Sequence, residues 1–372
     1  MIMNFRIFID RFFKGITILV VILYLIACLT PFIDPGKFWI VALAGLGFPF
    51  LLMLLFILLI IWAFKNRKWV FVIAVLMLFG FKQIQVMVGF NFPKDFSIEK
   101  KPGVLRVLTW NVSRWDERNK EKRGGVSYRP LMLDFIREQG ADILCFQEFF
   151  ECKNPVYFES TVTALNAMGY PFHFFHPAEE LFDGSFQYGV AIFSRYPIVD
   201  TGWFENHLTT HSEGVIFTDI NFGDQRVRIF TSHLVSVGFV KNDYQNVGNI
   251  AESKNILRKI KYSYELRSDQ AKGLREIIDQ SPYMSIVSSD LDDVPNSYSY
   301  FKIKGDLADA FLKKGSGLGR TLRFISPTLR IDYLFAHKVF NVKQVYRPEL
   351  IYSDHYPLIV DFGVPPKIVK TP

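Results

Sequence analysis

Two long stretches without a charged residue constrain this chain more than any other feature. Gly15–Ile33 contains 19 such residues and Phe38–Phe64 contains 27, with Pro49 inside the second. A helix of about 20 apolar residues crosses the hydrocarbon core of a bilayer. Runs of this length are rare in soluble domains. We therefore predict two transmembrane helices rather than two buried core helices.

A third apolar segment is less regular. Trp69–Phe81 is followed by the polar residues Lys82–Gln85 and then by Val86–Phe90. The segment could cross the bilayer if Lys82 extends its ammonium group to the interface, or it could lie within the interface. We favour a span. The sequence thus predicts a membrane anchor at residues 1–90 with two or three transmembrane helices.

Basic residues predict the orientation of this anchor. They precede the first span and separate the second from the third, whereas Lys37 alone lies between the first and second. The flanking residues are Arg6, Arg11, Lys14, Lys65, Arg67 and Lys68. The positive-inside rule places both groups in the cytoplasm. With three spans the chain from about residue 91 lies outside the cytoplasm, and with two it stays inside, so our preference predicts an extracytoplasmic domain.

The net charge of +7 belongs almost entirely to the anchor, because residues 1–90 contain eight basic and two acidic residues. The near-neutral remainder lacks the overall positive field of a dedicated duplex-DNA-binding protein. A local basic groove is still compatible with the segment 235–264, which reads equally as a solvated surface segment or a substrate contact. Its basic and tyrosine residues include Lys241, Tyr244, Lys254, Arg258, Lys259, Lys261, Tyr262 and Tyr264.

The three cysteines form neither a disulfide framework nor a zinc-binding spacing. Cys28 lies in the first predicted span. Cys145 and Cys152 lie on either side of Glu148, and a bridge between them would need an oxidising compartment outside the cytoplasm.

Residues 100–365 alternate short apolar segments with amphipathic ones. Helical spacing predicts helices at Tyr128–Gln139, Phe158–Met168 and Glu265–Gln280. The predicted strands are Val104–Trp110, Asp142–Gln147, Tyr188–Ser194, Gly214–Asn221, Arg226–Ser232, Met284–Ser288, Arg330–Ala336 and Tyr356–Phe362. Numerous strands with helices between some of them suit two sheets packed face to face with helices outside. We predict an α/β (α+β) fold, a four-layer αββα sandwich.

Polar side chains occur where these predicted strands begin or end. They are Asn111, Glu148, His233, Asp290, Asp332, Asp354 and His355. Carboxylate oxygens are the ligands that Mg²⁺ prefers, and Mg²⁺ commonly keeps several waters. A bound cation also neutralises the charge that builds up when a phosphate ester is hydrolysed. The pattern therefore favours a metal-dependent phosphoesterase.

Six short motifs occur in one order along the chain. They are Thr109-Trp110-Asn111-Val112, Phe146-Gln147-Glu148, Ser232-His233-Leu234, Ser289-Asp290-Leu291-Asp292, Arg330-Ile331-Asp332-Tyr333 and Ser353-Asp354-His355. This order resembles the endonuclease/exonuclease/phosphatase superfamily, which includes deoxyribonucleases, abasic-site endonucleases, neutral sphingomyelinases and inositol polyphosphate phosphatases. The resemblance implies the fold and the reaction type but not the substrate, since one site serves several phosphoesters.

The resemblance also implies a metal site. Glu148 matches the family's principal Mg²⁺ ligand, and Mn²⁺ is the expected substitute. Asn111 would position the metal or the phosphate. Asp354 would aid the leaving group or hold a second metal.

Catalytic roles follow from the same resemblance. Asp290 matches the residue that orients and deprotonates the attacking water. His355 matches the histidine that stabilises the transition state, paired with Asp332, because a nearby carboxylate raises the pKa of a histidine and fixes its tautomer. His233 matches a second histidine that contacts the phosphate.

One position departs from the family pattern. Where the family usually has Gly-Asp-x-Asn, this chain has Ser289-Asp290-Leu291-Asp292. An ionised Asp292 cannot donate a hydrogen bond to a phosphate oxygen and would repel it. Three outcomes are open: Asp292 is protonated beside Asp290, it serves as an extra metal ligand, or it lowers the activity. We expect activity to be retained.

The sequence thus predicts a membrane-anchored, Mg²⁺-dependent hydrolase of a phosphodiester. A phospholipid suits an anchored site beside a near-neutral domain, and a nucleic acid suits the basic segment 235–264. The alternative is a catalytically impaired membrane protein that binds phosphate head groups through the altered Asp292 site.

Overall fold

The computed structural model describes residues 2–204, 213–237, 250–324 and 326–366. The helices are α1 (Ile2–Leu29), α2 (Pro35–Lys65), α3 (Arg67–Leu78), α4 (Phe81–Met87), α5 (Arg129–Gln139), α6 (Thr161–Ala167), α7 (Ile250–Asp279), α8 (Tyr298–Lys304) and α9 (Ala310–Lys314), with 3₁₀ segments at Ser113–Asn119 and Glu121–Arg123. The strands are β1 (Gly89–Phe90), β2 (Val104–Asn111), β3 (Ile143–Cys152), β4 (Phe172–Leu181), β5 (Phe186–Ser194), β6 (Ile198–Phe204), β7 (Gly214–Phe222), β8 (Gln225–His233), β9 (Met284–Asp290), β10 (Ala308–Asp309), β11 (Ser316–Gly317), β12 (Asp332–Ala336), β13 (Asn341–Tyr346) and β14 (Leu358–Gly363).

Two six-stranded sheets form the centre of the molecule, in the orders β13-β14-β2-β3-β5-β4 and β10-β12-β9-β8-β7-β6. Their facing sides bury aliphatic side chains against each other, among them Val107 and Ile143 from one sheet and Ile229 and Ile286 from the other. Helix α5 covers the outer face of the first sheet, and helices α7 and α8 cover the second. The predicted αββα sandwich is confirmed.

Six strands had no counterpart in the sequence prediction, and three of them, β1, β10 and β11, contain only two residues each. Strands β4, β6 and β13 each lie at the edge of a sheet. Most of their residues are partly or fully exposed. Because an edge strand needs no continuous apolar run, its sequence lacks the signal that marks a central strand.

Helix α7 is longer than predicted. It begins at residue 250 rather than 265, so the described part of the basic segment 235–264 is largely helical. Lys254, Arg258 and Lys261 are exposed on it. Lys241 and Tyr244, which also belong to the predicted basic segment, lie outside the described residues.

The bridge considered between Cys145 and Cys152 is absent. Cys145 and Cys152 are both free and buried. Cys145 packs between the two sheets, whereas Cys152 packs beneath the outer layer of the first sheet. Seven residues of one strand place the two cysteines roughly 20 Å apart, far beyond the Cα separation of under about 7 Å that a disulfide requires.

Helices α1 and α2 pack against each other as an antiparallel pair. The Trp62 indole donates a hydrogen bond to the Thr17 hydroxyl at 3.0 Å and stacks on Trp69 with ring centroids 5.2 Å apart. Ile7–Leu29 and Pro35–Lys65 are long and apolar enough to cross a membrane. Helices α3 and α4 would form a third crossing only as a pair bent by 66°.

This helical region packs directly on the sandwich. The Asn296 side-chain amide donates to the Ala27 carbonyl at 3.1 Å, and Arg330 donates to the Val86 carbonyl at 2.8 Å. The Lys272 ammonium lies 2.6 Å from a carboxylate oxygen of Asp34, in the loop between α1 and α2. The two regions therefore share buried polar contacts.

Candidate active site

Strand register brings the predicted site residues to one rim of the sandwich. Strands β8 and β9 are parallel, and His233 lies opposite Asp290 at their carboxyl ends. Strand β12 is antiparallel to β9 and places Asp332 beside the same aspartate. From the other sheet, the Asn111 amide donates to Asp290 Oδ2 at 2.9 Å. Two parallel strand pairs, one in each sheet, thus end at the same place.

Glu148 was predicted to lie at a strand end, but the structure places it inside strand β3. Strand β3 continues to residue 152, with an irregularity between Phe146 and Phe149 that contains Glu148 at a φ of 48°. A positive φ is uncommon for a residue with a Cβ and marks a backbone held by its surroundings. The Glu148 amide donates to a carboxylate oxygen of Glu213 at 2.7 Å. The bulge turns the side chain toward the rim, where its Oε1 accepts a 3.2 Å bond from Asn111.

His355 and Asp332 form a buried pair. His355 Nδ1 lies 2.9 Å and 3.1 Å from the two carboxylate oxygens of Asp332, and 3.6 Å from Asp290 Oδ2. The Asp332 backbone amide is fixed by the Thr321 hydroxyl at 3.0 Å. Burial alone would lower the pKa of His355, but the neighbouring carboxylates of Asp332 and Asp290 raise it well above its usual value. The predicted pairing is present, and the two carboxylates favour the protonated form of the imidazole.

His233 has carboxylates at both ring nitrogens. Its Nδ1 lies 3.2 Å from Glu213, and its Nε2 lies 3.3 Å from Asp292 and 3.9 Å from Asp290. Burial opposes the charged form, yet Asp292 and Glu213 together raise the pKa of His233 well above its usual value. Glu213 was not among the predicted site residues. Its signal was its place just before the predicted strand Gly214–Asn221, which pairs with the strand ending at His233.

Asp290 and Asp292 have opposite protonation preferences. Burial, followed by repulsion from Asp332 and Asp292, raises the pKa of Asp290 to about 8. Burial would also raise the pKa of Asp292, but its contact with His233 brings it below its usual value. Of the three outcomes considered for Asp292, protonation beside Asp290 is therefore opposed by the electrostatics. A proton in this cluster is favoured on Asp290 over Asp292.

The donor set suits a divalent cation. Ligand atoms of His233, Asp290 and Asp292 lie within 4.8 Å of one another, as do those of Asp290, Asp332 and His355. Glu148 belongs to neither group of three. Burial and the nearby carboxylates of Glu213 and Asp354 raise the pKa of Glu148, although His233 and His355 oppose the shift. A cation among these oxygens would offset the repulsion between carboxylates that contributes to the raised pKa values of Glu148 and Asp290.

The predicted residues surround one cleft of about 960 Å³. Its lining includes Asn111, Glu148, His233, Asp292, Asp354 and His355. Asp290 and Asp332 lie directly behind these residues. The Asn111 amide oxygen accepts from the Ser113 backbone amide at 2.9 Å, while its nitrogen joins Glu148 and Asp290. Asn111 thus holds two carboxylates in place, and the metal contact expected of it stays a prediction.

Comparison with known families decides what this arrangement is. Residues 108–355 match the model of the Endonuclease/Exonuclease/phosphatase family. The chain belongs to the endonuclease/exonuclease/phosphatase family. Members of this family are hydrolases of phosphoesters and generally depend on a divalent metal ion, and the clustered carboxylates and histidines of this member agree with that chemistry. Residues 10–87 match a separate model, described as a domain of unknown function.

Solved structures support the same fold for this family member. An endonuclease/exonuclease/phosphatase from Beutenbergia cavernae DSM 12333 is 21% identical, with 70% of this chain and 72% of that chain covered and a TM-score of 0.51. The human Nocturnin catalytic domain, solved with a bound sulfate anion, is also 21% identical, with 70% and 93% covered and a TM-score of 0.50. No curated protein matches the chain.

Proposed function

We propose that this family member is a membrane-anchored, Mg²⁺-dependent phosphodiesterase, with an anchor at residues 1–90 and a catalytic domain at 100–365. The observation that carries the proposal is the position of Asp290. Its carboxylate lies between two cationic histidines, 3.6 Å from His355 and 3.9 Å from His233. A base flanked by two positive charges suits the attack of water on an anionic phosphoester.

The metal would be held by carboxylates that face the cleft, namely Glu148, Asp292 and Asp354. When bound, Mg²⁺ polarises the phosphoryl oxygen and offsets the charge of the phosphate. The second outcome considered for Asp292, an extra metal ligand, is the one we adopt. Its low pKa keeps it ionised, as a ligand must be.

The side chains of the protein perform the proton transfers. Asp290 takes a proton from the attacking water as the water oxygen bonds to phosphorus. The bond from phosphorus to the leaving ester oxygen breaks, that oxygen takes a proton from solvent water to give an alcohol, and Asp290 releases its proton to solvent. Cationic His355 donates a hydrogen bond to a phosphoryl oxygen in the transition state, and His233, whose ring nitrogens both face carboxylates, contributes positive charge beside the phosphate. A base with a pKa near the working pH is effective in this role, and the pKa of Asp290 is about 8.

The position of the anchor supports an extracytoplasmic catalytic domain. Lys14 and Lys65 share the Asp10 carboxylate at one end of the α1–α2 pair, at 3.4 Å and 3.5 Å. Asp34, at the other end, contacts Lys272 of the sandwich. The basic end, which the positive-inside rule assigns to the cytoplasm, therefore lies opposite the catalytic domain. Helices α3 and α4 return the chain to that domain as a bent third span.

Turnover of bis-p-nitrophenyl phosphate by the purified full-length protein tests the proposal. We expect hydrolysis with Mg²⁺ or Mn²⁺ and none with EDTA. In ¹⁸O-labelled water the label should appear in the phosphate-bearing product. A protein that binds phosphate head groups without metal-dependent turnover would instead be the receptor that the Asp292 substitution suggested.

A further inference from the structure

The catalytic cleft has two unlike walls. One carries the carboxylates and histidines described above. The other is apolar, and part of it comes from helix α2, which is long and apolar enough to cross a membrane. The apolar lining residues are Leu46, Phe50, Val237, Val294, Leu322, Phe324, Pro327, Leu329 and Ile331. A site for a small, fully polar phosphoester would gain nothing from such a wall.

The position of α2 at this wall is built into the structure. A Cβ on Gly45 would lie 3.0 Å from the Asn296 carbonyl oxygen and 2.7 Å from Thr30, so the helix approaches the sandwich closely at a glycine. Two residues of α7, Lys272 and Ser268, bind Asp34 in the loop that precedes α2. The close backbone approach at Gly45 and the side-chain contacts of Asp34 therefore fix the position of α2 relative to the cleft.

The helix geometry gives the depth of the cleft in a bilayer. Leu46 and Phe50 precede Lys65, the charged end of α2, by 19 and 15 residues. At 1.5 Å per residue these positions are about 28 Å and 22 Å from that end. The hydrocarbon core is about 30 Å thick. With Lys65 at one boundary, Leu46 lies just inside the other boundary and Phe50 lies deeper, so the cleft opens at the head-group level.

Exposure of the apolar wall agrees with this depth. Phe50 is 52% exposed, Leu46 is 40% exposed and Phe324, on the sandwich side of the cleft, is 55% exposed. Grouped apolar side chains left open beside a membrane helix mark a surface that lipid covers.

The charge of the lining argues against a polyanion. Arg267 is the single Lys or Arg that lines the cleft among the described residues. Its guanidinium is already engaged by the Val235 carbonyl at 2.8 Å and by Asp293 at 3.6 Å. Nucleic-acid binding needs several cations along the phosphate backbone. His233 and His355, together with a bound Mg²⁺, would instead provide enough positive charge for a single phosphate group.

We propose that the substrate is a phospholipid, taken from the leaflet next to the catalytic domain. Its phosphodiester lies among Glu148, Asp290 and His355, and its aliphatic chains lie against Leu46 and Phe50 of α2. The anchor would thus be part of the substrate-binding site as well as a tether. This inference rests on the phosphodiesterase function proposed above, and the same hydrolysis of one phosphorus–oxygen ester bond applies.

The test compares two substrates on the full-length protein in vesicles of phosphatidylcholine, phosphatidylethanolamine and phosphatidylglycerol. Leu46→Ala/Phe50→Ala should lower kcat/KM for vesicle phospholipid by on the order of 10- to 100-fold, since each lost apolar contact costs specificity. Turnover of water-soluble bis-p-nitrophenyl phosphate, which has no aliphatic chains, should fall much less than turnover of phospholipid, and circular dichroism with thermal unfolding checks that the variant is folded. Phe56→Ala is the matched control, because Phe56 is 57% exposed on the same helix and does not line the cleft. It should leave both activities unchanged.

The outcomes separate the two proposals. Wild-type turnover of bis-p-nitrophenyl phosphate without turnover of any vesicle phospholipid would overturn the lipid inference and leave the phosphodiesterase standing. Unchanged phospholipid turnover in the double variant would also overturn it, as would faster cleavage of plasmid DNA than of phospholipid. Absence of turnover on every substrate would mean that the proposed function itself fails.

Discussion

Each of the two histidines in the cleft contacts buried or partly buried carboxylates, but the contacts of His355 are held more firmly than those of His233. His355 uses one ring nitrogen for Asp332, whose own backbone amide is bound to Thr321 within a buried strand end. His233 has carboxylates at both ring nitrogens, and the side chain of one of them, Asp292, is 21% exposed. The first pair is preorganised to present Nε2 to a substrate. In the second pair, the position of His233 depends on attraction to two carboxylates, and a bound phosphate or metal ion would change that attraction.

The largest expected effect comes from disrupting the His355–Asp332 pair. Asp332→Asn keeps the shape but removes the main cause of the raised pKa of His355. We expect kcat/KM for bis-p-nitrophenyl phosphate to fall by about 10²- to 10³-fold, the usual range for loss of acid–base function. The alkaline limb of the pH–rate profile should move to lower pH, because the imidazole loses its proton earlier. An unchanged alkaline limb would contradict the pairing.

The same variant has a stability consequence with a defined sign. A histidine whose folded pKa exceeds its unfolded value of about 6.5 stabilises the fold fully below that value, and the contribution is lost as pH rises through the folded pKa. Asp332→Asn should therefore lower Tm most below about pH 6.5, and the difference from wild type should narrow as pH rises through the folded pKa of His355.

A smaller effect is expected from removing one of the carboxylates that contact His233. Glu213→Gln removes one of two carboxylates from His233 and leaves Asp292 in place, so we expect about a tenfold loss of kcat/KM. Glu159→Gln is the control, since the Glu159 side chain is 76% exposed at a surface ion pair. Equal losses for Glu213→Gln and Asp332→Asn would mean that the two pairs do not differ in the way proposed.

The smallest effect is expected where the chain departs from its family. Asp292→Asn removes a negative charge near the phosphate, and reduced repulsion should raise kcat about threefold at saturating Mg²⁺. The Mg²⁺ concentration for half-maximal activity should rise, because a ligand is lost. Titration of activity with Mg²⁺ measures both. A fall in kcat of more than tenfold at saturating metal would show that Asp292 has a catalytic role beyond metal binding.

Much of this architecture could be predicted because the relevant signals are local. A buried central strand followed by a polar residue is visible in the sequence, and this located Asn111, His233 and Asp290. The pairing of Asp332 with His355 came from the family resemblance, and the 2.9 Å contact between His355 Nδ1 and the Asp332 carboxylate supports it.

Other features depend on contacts that no local pattern encodes. Glu148 has a positive φ that its residue type does not signal, so the continuation of β3 past it was missed. The contact between α7 and the segment that contains α2 and its preceding loop joins residues more than 200 positions apart, as the Asp34–Lys272 ion pair illustrates. The anchor and the sandwich were therefore predicted as separate domains, and the apolar wall from α2 was not foreseen.

The most direct test of the central claim is Mg²⁺-dependent turnover of bis-p-nitrophenyl phosphate by wild type, Glu148→Ala and His355→Ala, each shown by circular dichroism and thermal unfolding to be folded. If these side chains form one hydrolytic centre, the wild type turns over with Mg²⁺ and stops with EDTA, and both variants lose at least about 10²-fold in kcat/KM. Equal turnover by all three proteins would contradict the account.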